Sequence, residues 1–302
     1  MQTPLPDSTL VRRACGATHL LLLLLFFLVP GGDATAWGPR GHELVNEHAV
    51  ATLPPELRPF FEAHRSWLVA NASLPDDWVK SDPSEQPHHF IDIERYARKF
   101  EQMPRTREEA LAGVGKDYLD DSGDLIWWLP QVTGKLAKAM EARNLDEILR
   151  WAVAVAHYAG DISQPLHTTE NYDGQLTQQP GVHAKFETQT VNHLAGFLEL
   201  QPQPARFLAD PFNSIFAQIR RSYRRIPEVL KTDKQARNVD QTRGTTYSAL
   251  MASKLRRLIR QQFEAGASLT GSLWFTAWIQ AGRPDLSGLQ AAGKEARPGD
   301  GQ

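Results

Sequence analysis

The chain is 302 residues long, 41% hydrophobic and 23% charged, with a formal net charge of −2 and a single cysteine. This balance describes a globular chain long enough for a substantial core, and excludes binding to nucleic acid or an acidic membrane through global charge alone. One cysteine also rules out a disulfide framework within the chain.

Residues 1–36 read as a secretory signal. Arg12 and Arg13 form a basic n-region, and Leu20 to Val29 an apolar run too short to span a bilayer. Ala34-Thr35-Ala36 then offers a small-residue cleavage site. Cleavage after Ala36 removes Cys15 and makes Trp37 the mature N-terminus, in a secreted or periplasmic protein. Asp7 and Asp33 match the two arginines, so the net charge is unchanged. An exported chain without cysteine needs another brace, and metal is one candidate.

The remainder is predicted to be all-α: one large multi-helix domain over residues 37–285, then a flexible tail over 286–302. Helices are expected over 41–53 and 55–70, separated at Pro54-Pro55. Residues 74–96 form the least helical stretch, and 107–113 a short helix. Residues 124–143 and 145–160 carry apolar positions at three- and four-residue spacing. Residues 171–181, rich in Gly, Gln, Asn and Thr, read as a loop. Four more helices are expected over 182–200, 210–225, 242–265 and 268–281.

The chemistry-bearing residues concentrate around AHYAGDISQPLH, residues 156–167. On a helix His157 and Asp161 share one face, while Pro165 ends the helix and lets His167 point elsewhere. The apolar WAVAVA upstream implies burial, and a buried imidazole and carboxylate need either each other or a metal. That stretch alone fits both readings. His183 and Glu187 repeat the four-residue spacing in a second segment, and together the two pairs offer ligands for more than one ion. Upstream lie Asp76-Asp77 and His88-His89, and His42 follows the expected terminus at Trp37, whose free amine and carbonyl could chelate a metal.

The order W-x4-H, P-D, H-H-F-I-D, H-x3-D-x5-H and H-x3-E resembles the zinc-dependent phospholipase C and single-strand-specific 3′-nuclease family, from Trp37 to about Ser287. The resemblance implies a helical enzyme with three zinc ions in a cleft. It gives Asp161 the bridging position between a zinc pair. Asp76, His89 and His157 complete one ion, and Trp37 with His42 the other. His167, His183 and Glu187 hold the third. Asp77 and His88 remain alternatives to Asp76 and His89. Asp76 is also a candidate general base beside Asp161, and Asp92 and Asn171 are candidates to orient the imidazoles.

The sixteen-residue step from His167 to His183 and the final Glu187 are more similar to the phospholipases. The lack of disulfides and of a Gly-Gly-Asn turn after the central motif, where Asn171-Tyr172-Asp173-Gly174-Gln175 stands instead, departs from the nucleases. A phospholipase C is therefore the expected activity, with a single-strand-specific nuclease or 3′-nucleotidase as the alternative. A secreted binding protein with structural zinc is the non-enzymatic alternative. The substrate would be a phospholipid, with transient contact to a membrane surface, or single-stranded nucleic acid; no obligate protein partner is implied. Arg220, Arg221, Arg224 and Arg225 form a basic stripe that suits a solvated face, a nucleic-acid backbone or an anionic membrane. Trp127 and Trp128 suit core packing, lipid contact or base stacking.

Overall fold

Prolines and small polar residues set most of the helix starts. The computed structural model describes residues 37–289, so the expected signal segment and residues 290–302 of the expected tail lie outside the described residues. Among the described residues every regular element is helical, as the spacing predicts. None of these helices is long and apolar enough to cross a membrane.

Helix α1 (Pro39–Thr52) begins with a proline where a missing N–H costs nothing. The expected second helix is two short ones, α2 (Arg58–Ala63) and α3 (Arg65–Ala70), because the His64 ring at the joint bonds the Phe60 carbonyl at 2.8 Å. The stretch expected to be least helical is instead α4 (Leu74–Ser81), a 3-10 segment Pro83–His89 and α5 (Ile93–Tyr96). Its prolines mislead because Pro75 and Pro83 sit at first-turn positions, which tolerate them. Then follow α6 (Arg107–Val114), closed by a Thr106–Glu109 capping box, and α7 (Lys116–Ser122), which the spacing did not predict.

The centre of the domain is the hairpin of α8 (Leu125–Glu141) and α9 (Leu145–Asp161), which pack against each other across a short link. Asn144 caps α9 by accepting from the Glu147 N–H at 3.3 Å. From Ala152 to Asp161 every residue of α9 is buried, so its C-terminal end delivers His157 and Asp161 into the interior.

The segment expected as one helix over 182–200 is a composite. Its parts are α10 (Val182–Ala184), a π-helical stretch Lys185–Thr190, α11 (Val191–Leu194) and a 3-10 turn Ala195–Phe197. The wide turn carries Glu187, and Thr190 Oγ1 donates to the Lys185 carbonyl at 2.8 Å, one residue beyond the α-helical pairing. Two further helices, α12 (Pro211–Tyr223) and α13 (Ile226–Val239), lead to α14 (Thr245–Gln280). Helix α13 escaped the sequence reading because its buried stripe includes Thr232 and Asp233. The two helices expected over 242–265 and 268–281 are the single α14. Gly266, between the two expected ranges, is a contact point: a Cβ there would lie 3.1 Å from Ser163 Oγ.

An extended strap runs along α14. The backbone N–H groups of Gln201, Gln203, Arg206 and Leu208 donate in turn to Glu264, Ser268, Ser272 and Thr276, four residues apart on one helix face. At the C-terminal end Leu286 is buried and Leu289 packs against the core, so packing continues beyond the expected boundary at 285.

Candidate metal centre

Seven elements bring the predicted side-chain donors together, and every one of them is helical or a helix-ending turn. His42 comes from α1, Asp76 from α4 and His89 from the 3-10 segment after it. His157 and Asp161 come from α9, and His167 from the 3-10 turn Pro165–Thr168. His183 lies on α10 and Glu187 in the π-helical stretch. Their ligand atoms form three groups able to hold a metal ion: His42, His157 and Asp161; Asp76, His89 and His157; and His167, His183 and Glu187.

His157 is common to the first two groups, and the Asp161 carboxylate lies between them. Its Oδ1 lies 3.5 Å from His42 Nε2, and its Oδ2 lies 3.2 Å from His89 Nδ1 and 3.5 Å from His157 Nε2. Asp76 Oδ1 approaches His157 Nε2 at 3.5 Å and His89 Nδ1 at 3.7 Å. In the third, His183 Nε2 lies 2.8 Å from Glu187 Oε2, and His167 Nε2 lies 3.7 Å from it. The paired alternatives separate in space. Asp77 is exposed and accepts from Lys80 Nζ, while His88 Nδ1 meets Asp124 Oδ1 at 2.6 Å and its ring stacks on Trp128. Asp76 and His89 face the cluster.

Backbone carbonyls fix the imidazoles. His157 Nδ1 donates to the Ala72 carbonyl at 3.0 Å, His167 Nδ1 to that of His89 at 2.7 Å, and His183 Nδ1 to that of Tyr172 at 3.0 Å. A carbonyl can only accept, so each Nδ1 carries a proton, and when the ring is neutral its Nε2 lone pair points inward. Asp92 and Asn171, the sequence candidates for this work, do not do it. Asn171 binds Thr177 and the Leu176 N–H, and Asp92 bonds no imidazole. The sequence reading also missed Gln164, whose Nε2 donates to Glu187 Oε2 at 3.3 Å while its Oε1 accepts from the Leu166 N–H. No spacing signal marks Gln164, because its role depends on the turn at Pro165.

This arrangement fits a cation. The His167 and His183 Nε2 atoms are 3.1 Å apart, so two lone pairs face each other beside a carboxylate. Donors sharing a tetrahedral zinc at about 2.0–2.1 Å lie roughly 3.3 Å apart, within the observed spread. Both ring nitrogens of His42, Nε2 of His89 and both carboxylate oxygens of Asp161 are buried without a hydrogen-bond partner. Leaving such groups unsatisfied is costly, and a cation among them removes the cost. Without one, burial drives most of the donors towards their neutral forms. It raises Asp161 well above the usual carboxylate range and Glu187 to about 8. It lowers His42, His89 and His167, and takes His183 to about 4. At His157 burial also pulls downward, but the adjacent Asp161 and Asp76 outweigh it and lift the ring to about 9. Burial would likewise raise Asp76, but His157 holds it below the usual range.

Trp37 is fully buried between Phe186 and Phe263, with ring centroids at 5.4 and 4.7 Å, and its ring also reaches the Gly160 turn. Gly160 in turn sits against His42, where a Cβ would come within 3.0 Å of Nδ1. Trp127 is core, donating Nε1 to the Pro104 carbonyl at 3.2 Å.

The S1/P1 nuclease family matches residues 37–181. Over those residues the chain is similar to the S1/P1 nucleases. This fits the zinc phospholipase C and 3′-nuclease grouping that the motifs suggested. The S1/P1 match contains His42, Asp76, His89, His157, Asp161 and His167; His183 and Glu187 lie just beyond it and are joined to the site by geometry. Nuclease S1 of Aspergillus oryzae is 26% identical over 177 residues, covering 53% of this chain and 56% of the relative. The chain thus spans little more than half the length of the curated relative it matches.

Proposed function

We propose that this protein is an exported zinc-dependent phosphodiester hydrolase acting on single-stranded nucleic acid, with 3′-nucleotidase activity at the same site. The observation that carries the nucleic-acid reading is the S1/P1 nuclease match over residues 37–181. It favours the nuclease over the phospholipase C that the His167-to-His183 spacing and Glu187 had suggested. Export rests on the basic, apolar and small-residue order of residues 1–36.

In this reading three zinc ions are bound. Asp161 would be shared by a zinc pair, which Asp76, His89 and His157 on one side and Trp37 with His42 on the other would hold. His167, His183 and Glu187 hold the third. Bound zinc would supply positive charge to the phosphoryl oxygens and lower the pKa of water. Asp76, with 14% of its side chain exposed, is the most solvent-accessible of the side-chain donors, which suits it to take a proton from water at the mouth of the site. The carbonyls of Ala72, His89 and Tyr172 keep the imidazole lone pairs aimed inward throughout.

Parallel assays on single-stranded DNA, RNA, a 3′-nucleotide and phosphatidylcholine test the proposal. Zinc-dependent cleavage of the nucleic acids is expected, with at least a thousandfold loss in Asp161→Asn. Head-group release from phosphatidylcholine without nucleic-acid cleavage would overturn the nuclease assignment.

A further inference from the structure

A cavity of about 860 Å³ lies between the 201–208 strap, α12 and α14, and it shares no residue with the three metal-binding groups. Its lining is dominated by arginine, glutamine and serine. Arg206 and Arg221 both line it, and among the described residues neither side chain has a hydrogen-bond or ion-pair partner. Arg225, also in the lining, is already engaged by Glu228 and by Gln261 at 3.0 Å. The carboxylate of Glu264 is occupied by the Gln201 N–H and Arg260. Positive charge is therefore in excess.

The second observation is Gln262, which lines the cavity and is 1% exposed. Its Nε2 donates to the Ser163 carbonyl at 2.6 Å and to Ser222 Oγ at 2.7 Å, which fixes the orientation of the amide. Its Oε1 is left buried without a hydrogen-bond partner. A buried acceptor without a donor carries a desolvation cost that a ligand N–H or O–H would relieve. The neighbouring Gln218 and Ser222 hold the backside of the Ile162–Ser163 turn, so this wall is built from fixed groups.

We propose that this cavity is a second, non-catalytic site for a nucleoside phosphate. Arg206 and Arg221 take the phosphate oxygens, and Gln262 Oε1 accepts from a base amino group or a ribose hydroxyl. The volume is within the usual range for small-ligand sites. Inorganic phosphate offers the anion but lacks the reach and the second donor, and an acyl chain would leave Arg206 and Arg221 without a counter-charge. The nucleoside phosphate is either free or one unit of a strand. The inference does not depend on the phosphodiesterase reading, since it is tested by binding alone.

Titration calorimetry of the zinc-loaded protein with 5′-AMP, adenosine and inorganic phosphate provides the test. Any 5′-AMP that binds at the metal centre is retained in Arg206→Ala/Arg221→Ala, whereas the cavity component is expected to weaken at least tenfold. Adenosine and phosphate should each bind that component at least tenfold more weakly than 5′-AMP does. The charge reversal Arg221→Glu, checked for an unchanged melting temperature, gives an independent reading should the double variant fold poorly. Displacement of 5′-AMP by a phosphorothioate thymidine octamer assigns the strand as the source, and failure of displacement assigns the free nucleotide. Identical isotherms in wild type and variants, or phosphate binding as tightly as 5′-AMP, would overturn the proposal.

Discussion

Gly160 shows how little tolerance the metal centre leaves at a single residue. The His42 ring stacks on His157 at 3.9 Å, and its edge lies close to Gly160, where a Cβ would lie 3.0 Å from Nδ1. Gly160→Ala should improve helix propensity yet displace His42, lowering zinc affinity at that position by about 10–100-fold, the range seen when supports of metal ligands are altered. Zinc content and hydrolysis rate measured after dialysis check this; a variant with both unchanged would remove the packing argument. A different residue effect belongs to Asp92, buried beside Glu94 and Glu170 with only Arg95 to offset them. Burial first, then Glu94, raises its carboxyl to about 7. An unfolded aspartate ionises near 4, so between about pH 4 and 7 the folded chain keeps a proton that the unfolded chain has lost. Stability from this group therefore falls as pH rises through that window. Asp92→Asn should raise the melting temperature relative to wild type at pH 8 but not at pH 4. A difference independent of pH would contradict the assignment.

At the scale of elements, the strap over 201–208 depends on a ladder of side-chain oxygens at every fourth residue of α14. Ser268 and Ser272 each accept a strap N–H while donating to the carbonyl four residues earlier. Replacing both with alanine removes two strap bonds worth about 0.5–1.5 kcal/mol each. For a domain of this size that corresponds to a melting-temperature loss of about 2–10 °C. Hydrogen exchange should accelerate at Gln203 and Arg206 specifically; unchanged exchange there would show that the ladder does not hold the strap. The helices with strong apolar periodicity, α8 and α9, were legible in the sequence nearly to their ends. Helix α13 and the strap were not, because the burial of Asp233 and of the Ser268–Ser272 face relies on Gln179 and on strap N–H groups from distant segments. The basic stripe was visible as a run of arginines, but its division was not. Arg221 and Arg225 line the cavity, while Arg220 lies over the Phe100 ring.

Across the whole molecule, the donors join two hydrophobic clusters. Ala156, Tyr158 and Ile162 around the α9 end belong to one, while Leu166, Val182 and Phe186 around the third metal group belong to the other. Metal held by these donors should therefore link the clusters, in a described domain that contains no cysteine. Chelation by EDTA is expected to lower the melting temperature by about 10 °C or more, recoverable with zinc. An EDTA-treated protein that is metal-free yet melts at the original temperature would rule out this bracing role. The sequence by itself determined the all-α class and offered the candidate donors, since helical periodicity and four-residue His–carboxylate spacing are local properties. Only the tertiary structure shows that Asp76 and His89, rather than Asp77 and His88, face the cluster. Adjacent residues on a helix or turn point in different directions, and which direction is inward depends on what packs there. It also assigned the support of the imidazoles to backbone carbonyls, which every residue possesses and no sequence pattern distinguishes.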